Sequence, residues 1–217
     1  MNIESVTIDT TGTISNLCKI ASHFQSDKCP YSKETTSGHR HPYTPVYDKF
    51  FSSLRDKEIN IAEIGIEKND SINIWRRYFS LAKIYGFEYN DDYIQNAKNQ
   101  NLIDVTYEKI DVSKVSSIQN TFQKIGIKYD ILIDDSTHIF EDQIKIIQNS
   151  IEYLSEGSIL IIEDIFRDRS EDDYQRDLED VLKYFFSATF IITEHENKFS
   201  GNWNNDKLLI LVRNNVT

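Results

Sequence analysis

The stretch that decides the fold is residues 129–138, YDILIDDSTH. Its first five residues are mostly apolar and include isoleucine and tyrosine, which is typical of a buried strand. Two adjacent carboxylates, Asp134 and Asp135, follow at once, and His138 comes three residues later. Carboxylates are rarely buried unless they are paired, protonated or bound to a cation. The stretch therefore predicts a strand that delivers charged groups to a functional site.

A second strand of this kind lies farther along the chain. Residues 158–162, SILII, precede Glu163 and Asp164 directly. Around these two strands, segments with strand-like and helix-like hydrophobic spacing alternate. The predicted strands are residues 59–65, 82–88, 105–110, 129–133, 158–162, 189–193 and 208–212. The predicted helices are residues 14–24, 46–54, 71–79, 91–98, 113–125, 140–154 and 171–186.

This alternation predicts an α/β fold with helices on both faces of a mostly parallel sheet. We expect a Rossmann-like sheet of seven strands whose last strand is antiparallel, because no helix separates the final two. Residues 1–57 are expected to be a helical and loop lead-in, loose over residues 1–12, and residues 58–217 the α/β domain. Residues 25–45 hold all three prolines, which argues against regular helix there and makes this segment a candidate lid.

The composition excludes several classes of protein. The formal net charge is −11, which disfavours a nucleic-acid partner. No apolar run approaches the ~20 residues of a membrane span, and the N-terminus has no secretory pattern. Two cysteines, Cys18 and Cys29, make no disulfide framework. We therefore expect a cytoplasmic protein, and a homo-oligomer is compatible with the sequence.

Acids recur where the strands of the parallel run end, the edge at which open α/β sheets bind ligands. Glu88 comes 23 residues after Gly65, a placement suited to holding ribose hydroxyls. The turn between them begins GIEKNDS, with one glycine and two acids, Glu67 and Asp70. A pyrophosphate needs a glycine-rich turn, so this turn disfavours NAD. A cofactor with an ammonium and a sulfonium group would tolerate the acids.

Five segments together resemble a known family. Residues 63–79, EIGIEKNDSINIWRRYF, resemble the EIGxxxGxSxxxWxxYF motif of class I S-adenosylmethionine-dependent methyltransferases. Within that class, the chain is most similar to metal-dependent sugar O-methyltransferases, which act on macrolide deoxysugars or in surface-polysaccharide pathways. The other matching segments are SDKCP…HRHPYTPVYDKFF (26–51), IYGFEYN (84–90), YDILIDDSTHIFEDQ (129–143) and GSILIIEDI (157–165).

The resemblance implies roles for particular residues. His138 would be the general base, and a divalent metal, Mg²⁺ by preference, would bind Asp135, Glu163 and Asp164. Asp135 would thus also be catalytic. Acceptor contacts are expected from His41, Tyr43 and Tyr47 in the lead-in segment, and the acceptor would be a sugar, nucleotide-sugar or glycan. The residues expected to bind S-adenosylmethionine are Glu63, Gly65, Ser71, Glu88, Asp111, Val112 and Asp134.

The chemistry of these residue types agrees with that reading. Mg²⁺ prefers oxygen ligands and keeps part of its shell for water or substrate, so three carboxylates leave room for two hydroxyls. A hydroxyl bound to the metal loses its proton more easily, and a histidine can accept that proton.

The chain departs from the family pattern at Glu88, which replaces an aspartate, at Ser136 and Thr137, which replace a Gly-Ser pair, and at two further places. Asn69 or Asp70 replaces the second glycine of the cofactor turn, and residues 166–175, FRDRSEDDYQ, are polar where an aromatic segment is expected. The acceptor should therefore be more polar than a macrolide. Three alternatives remain: a catechol-type O-methyltransferase, a non-catalytic binding subunit with the same fold, and an NAD-linked oxidoreductase.

Overall fold

The structure is a computed structural model, and it describes residues 1–33, 35, 38–201 and 203–214. Within these residues a single sheet contains β1 (Glu4–Asp9), β2 (Asn60–Ile64), β3 (Lys83–Glu88), β4 (Val105–Lys109), β5 (Tyr129–Asp134), β6 (Leu154–Ile165), β7 (Phe185–Glu194) and β8 (Lys207–Arg213). The α-helices are α1 (Asn16–Ala21), α2 (Tyr43–Phe51), α3 (Asp70–Tyr78), α4 (Asp91–Asn99), α5 (Val115–Ile125), α6 (Phe140–Ser150), α7 (Glu171–Asp177) and α8 (Glu179–Leu182).

The sheet order is β1-β7-β8-β6-β5-β2-β3-β4. The pairs β2·β3, β2·β5, β3·β4 and β5·β6 are parallel, whereas β8 is antiparallel to both β6 and β7. The predicted Rossmann-like α/β class and the antiparallel last strand are therefore confirmed.

The sheet has one strand more than the seven predicted, because β1 pairs in parallel with β7. The expectation of a loose segment at residues 1–12 was wrong over β1. This strand lies at the edge of the sheet, and most of its residues are exposed. An exposed edge strand does not need a buried apolar face, so the hydrophobic pattern that reveals inner strands is weak there.

Each face of the sheet has its own hydrophobic core, and alternate residues of one strand enter different cores. Ile131 and Ile133 of β5 pack on the face covered by α1 to α4, whereas Leu132 packs with α5 to α8 on the other face. This alternation follows from the two-residue repeat of a strand. The helices cover the two faces of the sheet and leave the ends of its strands uncovered.

Several predicted helix boundaries were wrong, among them the following two. Helix α2 starts at Tyr43 rather than residue 46, and Pro45 lies in its first turn, where the missing N–H removes no intrahelical bond. The predicted helix at residues 171–186 ends instead with α8, and β7 starts at Phe185. Pairing of Phe185 with β8 overrides the helical spacing of the sequence there.

In the part of the chain that the structure describes, no helix is long and apolar enough to cross a membrane. The division at residue 57 stays a prediction. Because β1 belongs to the sheet, the residues before this boundary also contribute to the α/β body.

Candidate active site

The carboxyl ends of β2, β3, β5 and β6 bring the predicted site residues to one edge of the sheet. Glu88 and Asp134 are the last residues of β3 and β5, and Gly65 directly follows β2. Because these four strands are parallel, their ends meet at the same edge.

A β-bulge positions the two acids of β6. The register between β6 and β8 shifts between Ile162 and Ile165, and Glu163 and Asp164 lie inside that shift. Asp164 has a φ of 55°, an uncommon left-handed conformation for a residue with a side chain. Adjacent residues of a regular strand point to opposite faces, so the bulge changes the direction of these side chains.

Gly65 is required by the close approach of two loops. Its φ is 87°, and a Cβ atom at this position would lie 2.1 Å from the carbonyl oxygen of Asp135. The neighbouring Asp135 N–H donates to the carbonyl oxygen of Ile64 at 2.8 Å. Any larger residue would therefore separate the turn after β2 from the turn after β5.

Glu88 connects two turns through backbone hydrogen bonds. Its Oε2 accepts from the N–H groups of Ile66 and Glu67, both at 3.2 Å. Its Oε1 accepts from the N–H groups of Tyr89 and Asn90 at 2.8 and 2.9 Å. The carboxylate thereby fixes the turn after β2 against the turn after β3.

A cavity of about 500 Å³ opens at this edge. Three predicted cofactor residues line it, Gly65, Glu88 and Val112, together with Asp135 and His138. The structure therefore brings the predicted cofactor turn and the predicted catalytic residues to one cavity.

The rest of the lining is apolar in part and acidic in part. Ile110 and Tyr89 contribute apolar surface, and Asp27 and Glu67 contribute carboxylates. Asp164 also lines the cavity. Such a mixture suits a ligand with a flat apolar portion and a cationic portion.

Two other predicted cofactor residues lie behind or beside this cavity. Glu63 is fully buried, and its Oε2 accepts from Trp75 Nε1 at 2.6 Å. Ser71 lines a separate cavity of about 50 Å³ together with Gly65.

The last two predicted cofactor residues contact neighbouring side chains of their own loops. The Asp111 carboxylate accepts from Ser113 Oγ at 2.6 Å and pairs with Lys114 at 2.8 Å. Asp134 is buried and accepts from Ser136 Oγ at 2.6 Å. Neither residue lines the cavity of about 500 Å³.

A lysine from the lead-in segment lies among the acids. Lys28 is 2% exposed, and its Nζ donates to Asp135 Oδ2 and, at 2.6 Å, to Glu163 Oε2. Glu63 Oε1 is 3.4 Å from the same Nζ. Burial opposes the charged ammonium, but Asp135, Glu163 and Glu63 raise the pKa of Lys28 well above its usual value. The lysine is therefore charged.

Asp164 has a different set of partners. Its Oδ1 accepts from the Tyr43 hydroxyl at 2.7 Å, and its Oδ2 accepts from Asn205 Nδ2 at 2.8 Å. The Nε2 atoms of His41 and His138 lie 3.6 and 3.8 Å from Oδ2. Burial alone would raise the pKa of Asp164, but His41, His138 and the Tyr43 hydrogen bond outweigh it and lower the pKa.

The three residues predicted to contact the acceptor are buried against these acids. The Tyr47 hydroxyl donates a hydrogen bond to Glu163 Oε1 at 2.7 Å. The rings of His41 and Tyr43 are stacked, with their centroids 5.0 Å apart. All three are at most 1% exposed. Burial and the adjacent carboxylates raise the pKa values of both tyrosines, so each acts as a hydrogen-bond donor.

Burial dominates the ionisation of the remaining acids and of the histidine. It raises the pKa of Glu163 to about 8, that of Asp134 to about 7, and that of Asp135 well above the usual value. It lowers the pKa of His138, so this imidazole is neutral near pH 7. The Nδ1 of His138 is buried and has no hydrogen-bond partner among the described residues.

Two groups of side chains have ligand atoms close enough to share a cation. Asp135, His138 and Asp164 form one, and Glu63, Asp135 and Glu163 form the other, each with atoms within 4.8 Å of one another. The predicted set of Asp135, Glu163 and Asp164 is thus divided between two groups that share Asp135. Carboxylate oxygens fit Mg²⁺, but Lys28 already contacts the second group.

A second cavity of about 420 Å³ meets the first at His138, which lines both. Phe166, Asp168 and Arg169, from the polar segment after β6, contribute to its wall. The Arg169 guanidinium lies 3.7 Å from the centre of the Phe140 ring. His138 therefore lies between two cavities of different composition.

Comparison with known proteins agrees with this architecture. No family model matches the chain. The chain is similar to the MycE methyltransferase of the mycinamycin biosynthetic pathway, which was solved in complex with Mg, SAH and mycinamycin VI. The TM-score is 0.67 and the sequence identity 16%, and the match covers 93% of this chain and 55% of that one. The chain has the Rossmann-like fold of class I methyltransferases.

Curated relatives share this methyltransferase similarity at the sequence level. The chain is 26% identical to 8-demethyl-8-alpha-L-rhamnosyl tetracenomycin-C 2'-O-methyltransferase of Streptomyces olivaceus, in a match that covers 58% of this chain. It is also 26% identical to demethylmacrocin O-methyltransferase of Streptomyces fradiae, in a match that covers 59% of this chain. The matches cover 33% of each relative, so the chain spans about a third of their length.

Sequence reasoning missed several residues of this methyltransferase-fold site. Lys28 was assigned only to the candidate lid, although it belongs to the SDK segment of the family resemblance, which was the available signal. Trp75 was quoted within a motif without a role, and it holds Glu63. Asn205 precedes β8 and binds Asp164, and no local pattern indicated it.

Proposed function

We propose that the chain is an S-adenosylmethionine- and Mg²⁺-dependent O-methyltransferase that acts on a sugar or glycan hydroxyl. The observation that carries this proposal is the single cavity that joins a methyltransferase-type cofactor turn to Asp135, His138 and Asp164. The curated relatives are named as O-methyltransferases, and a neighbour of the same fold was solved with Mg and SAH. Both findings support the same chemistry here.

The cofactor would occupy the first cavity, of about 500 Å³. Gly65 permits close approach of the backbone, and Glu88, whose oxygens fix the turns after β2 and β3, lies where ribose hydroxyls would bind. Val112 and Asp111 would lie by the adenine, with only Val112 lining the cavity. Glu63, Ser71 and Asp134 would support the methionine side from behind. Asp27 and Glu67 favour a ligand with cationic groups.

The proposed metal ligands are Asp135, Glu163 and Asp164. Their oxygen donors suit Mg²⁺, and another divalent cation of similar preference would bind the same donors. When bound, the metal would lower the pKa of a coordinated acceptor hydroxyl, and S-adenosylmethionine would supply the methyl group. Tyr43 and Asn205 hold Asp164 in place through hydrogen bonds, and Tyr47 does the same for Glu163.

His138 is the proposed general base. Its lowered pKa keeps the imidazole neutral, so Nε2 can accept the hydroxyl proton. Asp164 Oδ2, 3.8 Å from Nε2, would stabilise the imidazolium that results. The position of His138 between the two cavities allows it to reach an acceptor beside the methyl donor.

The acceptor would occupy the second cavity. Phe140 and Phe166 line it with aromatic surface, and Asp168 and Arg169 offer polar groups for hydroxyls. A sugar, nucleotide-sugar or glycan fits this lining better than a large apolar macrolide. His41, Tyr43 and Tyr47 would act on the acceptor through the acids that they hold.

The remaining features belong to the same proposal. Residues 58–217 would bind the cofactor. Residues 25–45 would cover the site, because Lys28 contacts Glu163 and His41 lies close to Asp164. Residues 34, 36 and 37 of this segment lie outside the described residues. The buried free thiols Cys18 and Cys29 favour a cytoplasmic location. The charge of −11 disfavours a nucleic-acid acceptor. A homo-oligomer is compatible with the proposal.

Transfer of a labelled methyl group tests the proposal directly. Purified protein would be incubated with methyl-labelled S-adenosylmethionine and a panel of sugars, glycosides, nucleotide-sugars, glycans and catechols. We expect label on a carbohydrate hydroxyl, loss of transfer with EDTA, and recovery with Mg²⁺. Transfer to catechols alone would favour the catechol-type alternative. Cofactor binding with no transfer to any acceptor would favour a binding subunit.

A further inference from the structure

The cation at the centre of the carboxylate cluster belongs to the protein itself. Lys28 Nζ donates to Glu163 Oε2 at 2.6 Å and to Asp135 Oδ2, and Glu63 Oε1 is 3.4 Å away. The lysine side chain and both glutamates are at most 2% exposed. This is an ion cluster closed to solvent on the lysine side.

The other oxygens of the two glutamates already have partners. Tyr47 donates to Glu163 Oε1, and Trp75 Nε1 donates to Glu63 Oε2. The oxygens that remain for any cation are those that now contact Lys28. A divalent ion on Glu163 would therefore meet the same oxygen atom as the ammonium group, which also contacts Oδ2 of the neighbouring Asp135.

We propose that Lys28 is a tethered cation that competes with a divalent ion for Asp135 and Glu163 and so weakens the binding of that ion. The inference rests on the proposed function only in taking these two carboxylates as metal ligands. Lys28 is a positioning residue in this account, because it acts through the acids and not on the reacting atoms.

The charges of the cluster allow both occupants in turn. With all three carboxylates ionised, as binding of a divalent ion requires, the cluster and the ammonium together carry two formal negative charges and still attract that ion. Without any cation, two buried glutamates and the part-buried Asp135 would be costly to hold together as carboxylates. Lys28 thus stabilises the carboxylates before an ion binds. When an ion binds, Lys28 must lose contacts with the carboxylate oxygens.

Binding of Mn²⁺, followed by electron paramagnetic resonance of the free ion, tests this without any turnover. Full-length wild type would be compared with Lys28→Met, which removes the charge, and Lys28→Arg, which keeps it. Lys145→Met is the matched control, because Lys145 pairs with Asp142 away from the cluster. We expect Lys28→Met to bind Mn²⁺ at least tenfold more tightly than wild type, and the other two variants to stay within threefold of it.

A charge-balanced variant separates the position of the ammonium from the total charge. Lys28→Met with Glu63→Gln has the same cluster charge as wild type and keeps Asp135 and Glu163. The new glutamine can still accept from Trp75 Nε1. We expect this variant to fold even if Lys28→Met alone does not, and to bind Mn²⁺ at least fivefold more tightly than wild type.

The outcomes distinguish this inference from the proposed function. Mn²⁺ affinity of Lys28→Met and of the balanced variant within threefold of wild type would overturn the competition, even if wild type binds S-adenosylmethionine normally. Tighter binding by Lys28→Arg as well would also overturn it, because charge would then not be the cause. If wild type binds neither Mn²⁺ nor cofactor but Lys28→Met gains an Mn²⁺ site, the competition stands and the proposed function fails.

Discussion

His138 Nε2 lies 3.8 Å from Asp164 Oδ2, and both residues have a left-handed backbone, with φ values of 56° and 55°. Such conformations cost energy for residues with side chains and persist only where surrounding contacts hold them. Asp164 is held by Tyr43 and Asn205, and it lies in the bulge of β6. The two strained residues face each other at the cavity, which connects the proposed base with a proposed metal ligand.

Replacing the proposed base should stop transfer without stopping cofactor binding. We expect His138→Ala to lower the turnover number by about 10²–10⁴-fold, because proton acceptance is lost while the Gly65 turn is untouched. Turnover and calorimetry with S-adenosylmethionine would measure the two effects. His23→Ala, at an exposed position, is the control. Normal turnover of His138→Ala would rule out this base.

The pH dependence of transfer should follow the lowered pKa of His138. The base works as neutral imidazole, so activity falls as the pH drops through its pKa. Because burial moves that pKa below the usual value of about 6.5, the plateau should extend to lower pH than for an exposed histidine. A profile of kcat/KM from pH 5 to pH 8 would show this. At saturating Mg²⁺, which would keep Asp135 and Glu163 ionised, an acid limb with its midpoint above pH 7 would contradict the assignment.

A methyl group at Gly65 should disrupt the cofactor turn. Gly65→Ala would place Cβ 2.1 Å from the Asp135 carbonyl oxygen, so we expect at least tenfold weaker binding of S-adenosylmethionine and a lower Tm. Gly12→Ala is the matched control: Gly12 has a φ of 75°, but a methyl group there would meet no atom within 4 Å. Calorimetry and thermal denaturation would compare them. Equal losses in both variants would mean that backbone strain, not the close approach, is responsible.

Asp134 should make stability fall as the pH rises. Its pKa is about 7 in the folded chain because of burial, against about 3.9 when unfolded. Between these values the unfolded state is ionised while the folded state keeps its proton, so the stability present at low pH is lost as the pH approaches 7. We expect Asp134→Asn to gain roughly 1–4 kcal/mol on wild type between pH 4 and pH 8.

Urea denaturation of both proteins at the two pH values would measure that difference. Ionisable groups that both proteins contain affect the two free energies of unfolding equally, so they cancel in the difference. Asp56→Asn, at an exposed position, is the control and should show no such change. A stability difference between Asp134→Asn and wild type that does not vary with pH would contradict the buried, protonated state of Asp134.

The sequence revealed the parts of the molecule that are governed by local pattern. Strand β5 was predicted at residues 129–133 and observed as Tyr129–Asp134, because a short apolar run rich in isoleucine and bounded by acids favours a buried strand. Strand β1 was missed because an exposed edge strand carries little pattern. The helix predicted at residues 140–154 ends at Ser150, since pairing with β5 brings Leu154 into β6.

Contacts between distant segments were beyond the sequence alone. Lys28 and Glu163 are separated by 135 positions, and only the folded sheet brings them together. Asn205 reaches Asp164 for the same reason, across 41 positions. The acids themselves were predicted, because their place after each strand is a local feature. The partner of each acid depends on the path of the lead-in segment and of the loop before β8.

Calorimetric titration with S-adenosylmethionine is the decisive measurement, because every proposed role depends on the cofactor occupying the cavity at the carboxyl ends of the strands. We expect one cofactor per chain for wild type, at least tenfold weaker binding for Glu88→Gln, and unchanged binding for Glu58→Gln, an exposed control. No heat of binding by wild type, with or without Mg²⁺, would contradict the proposed function.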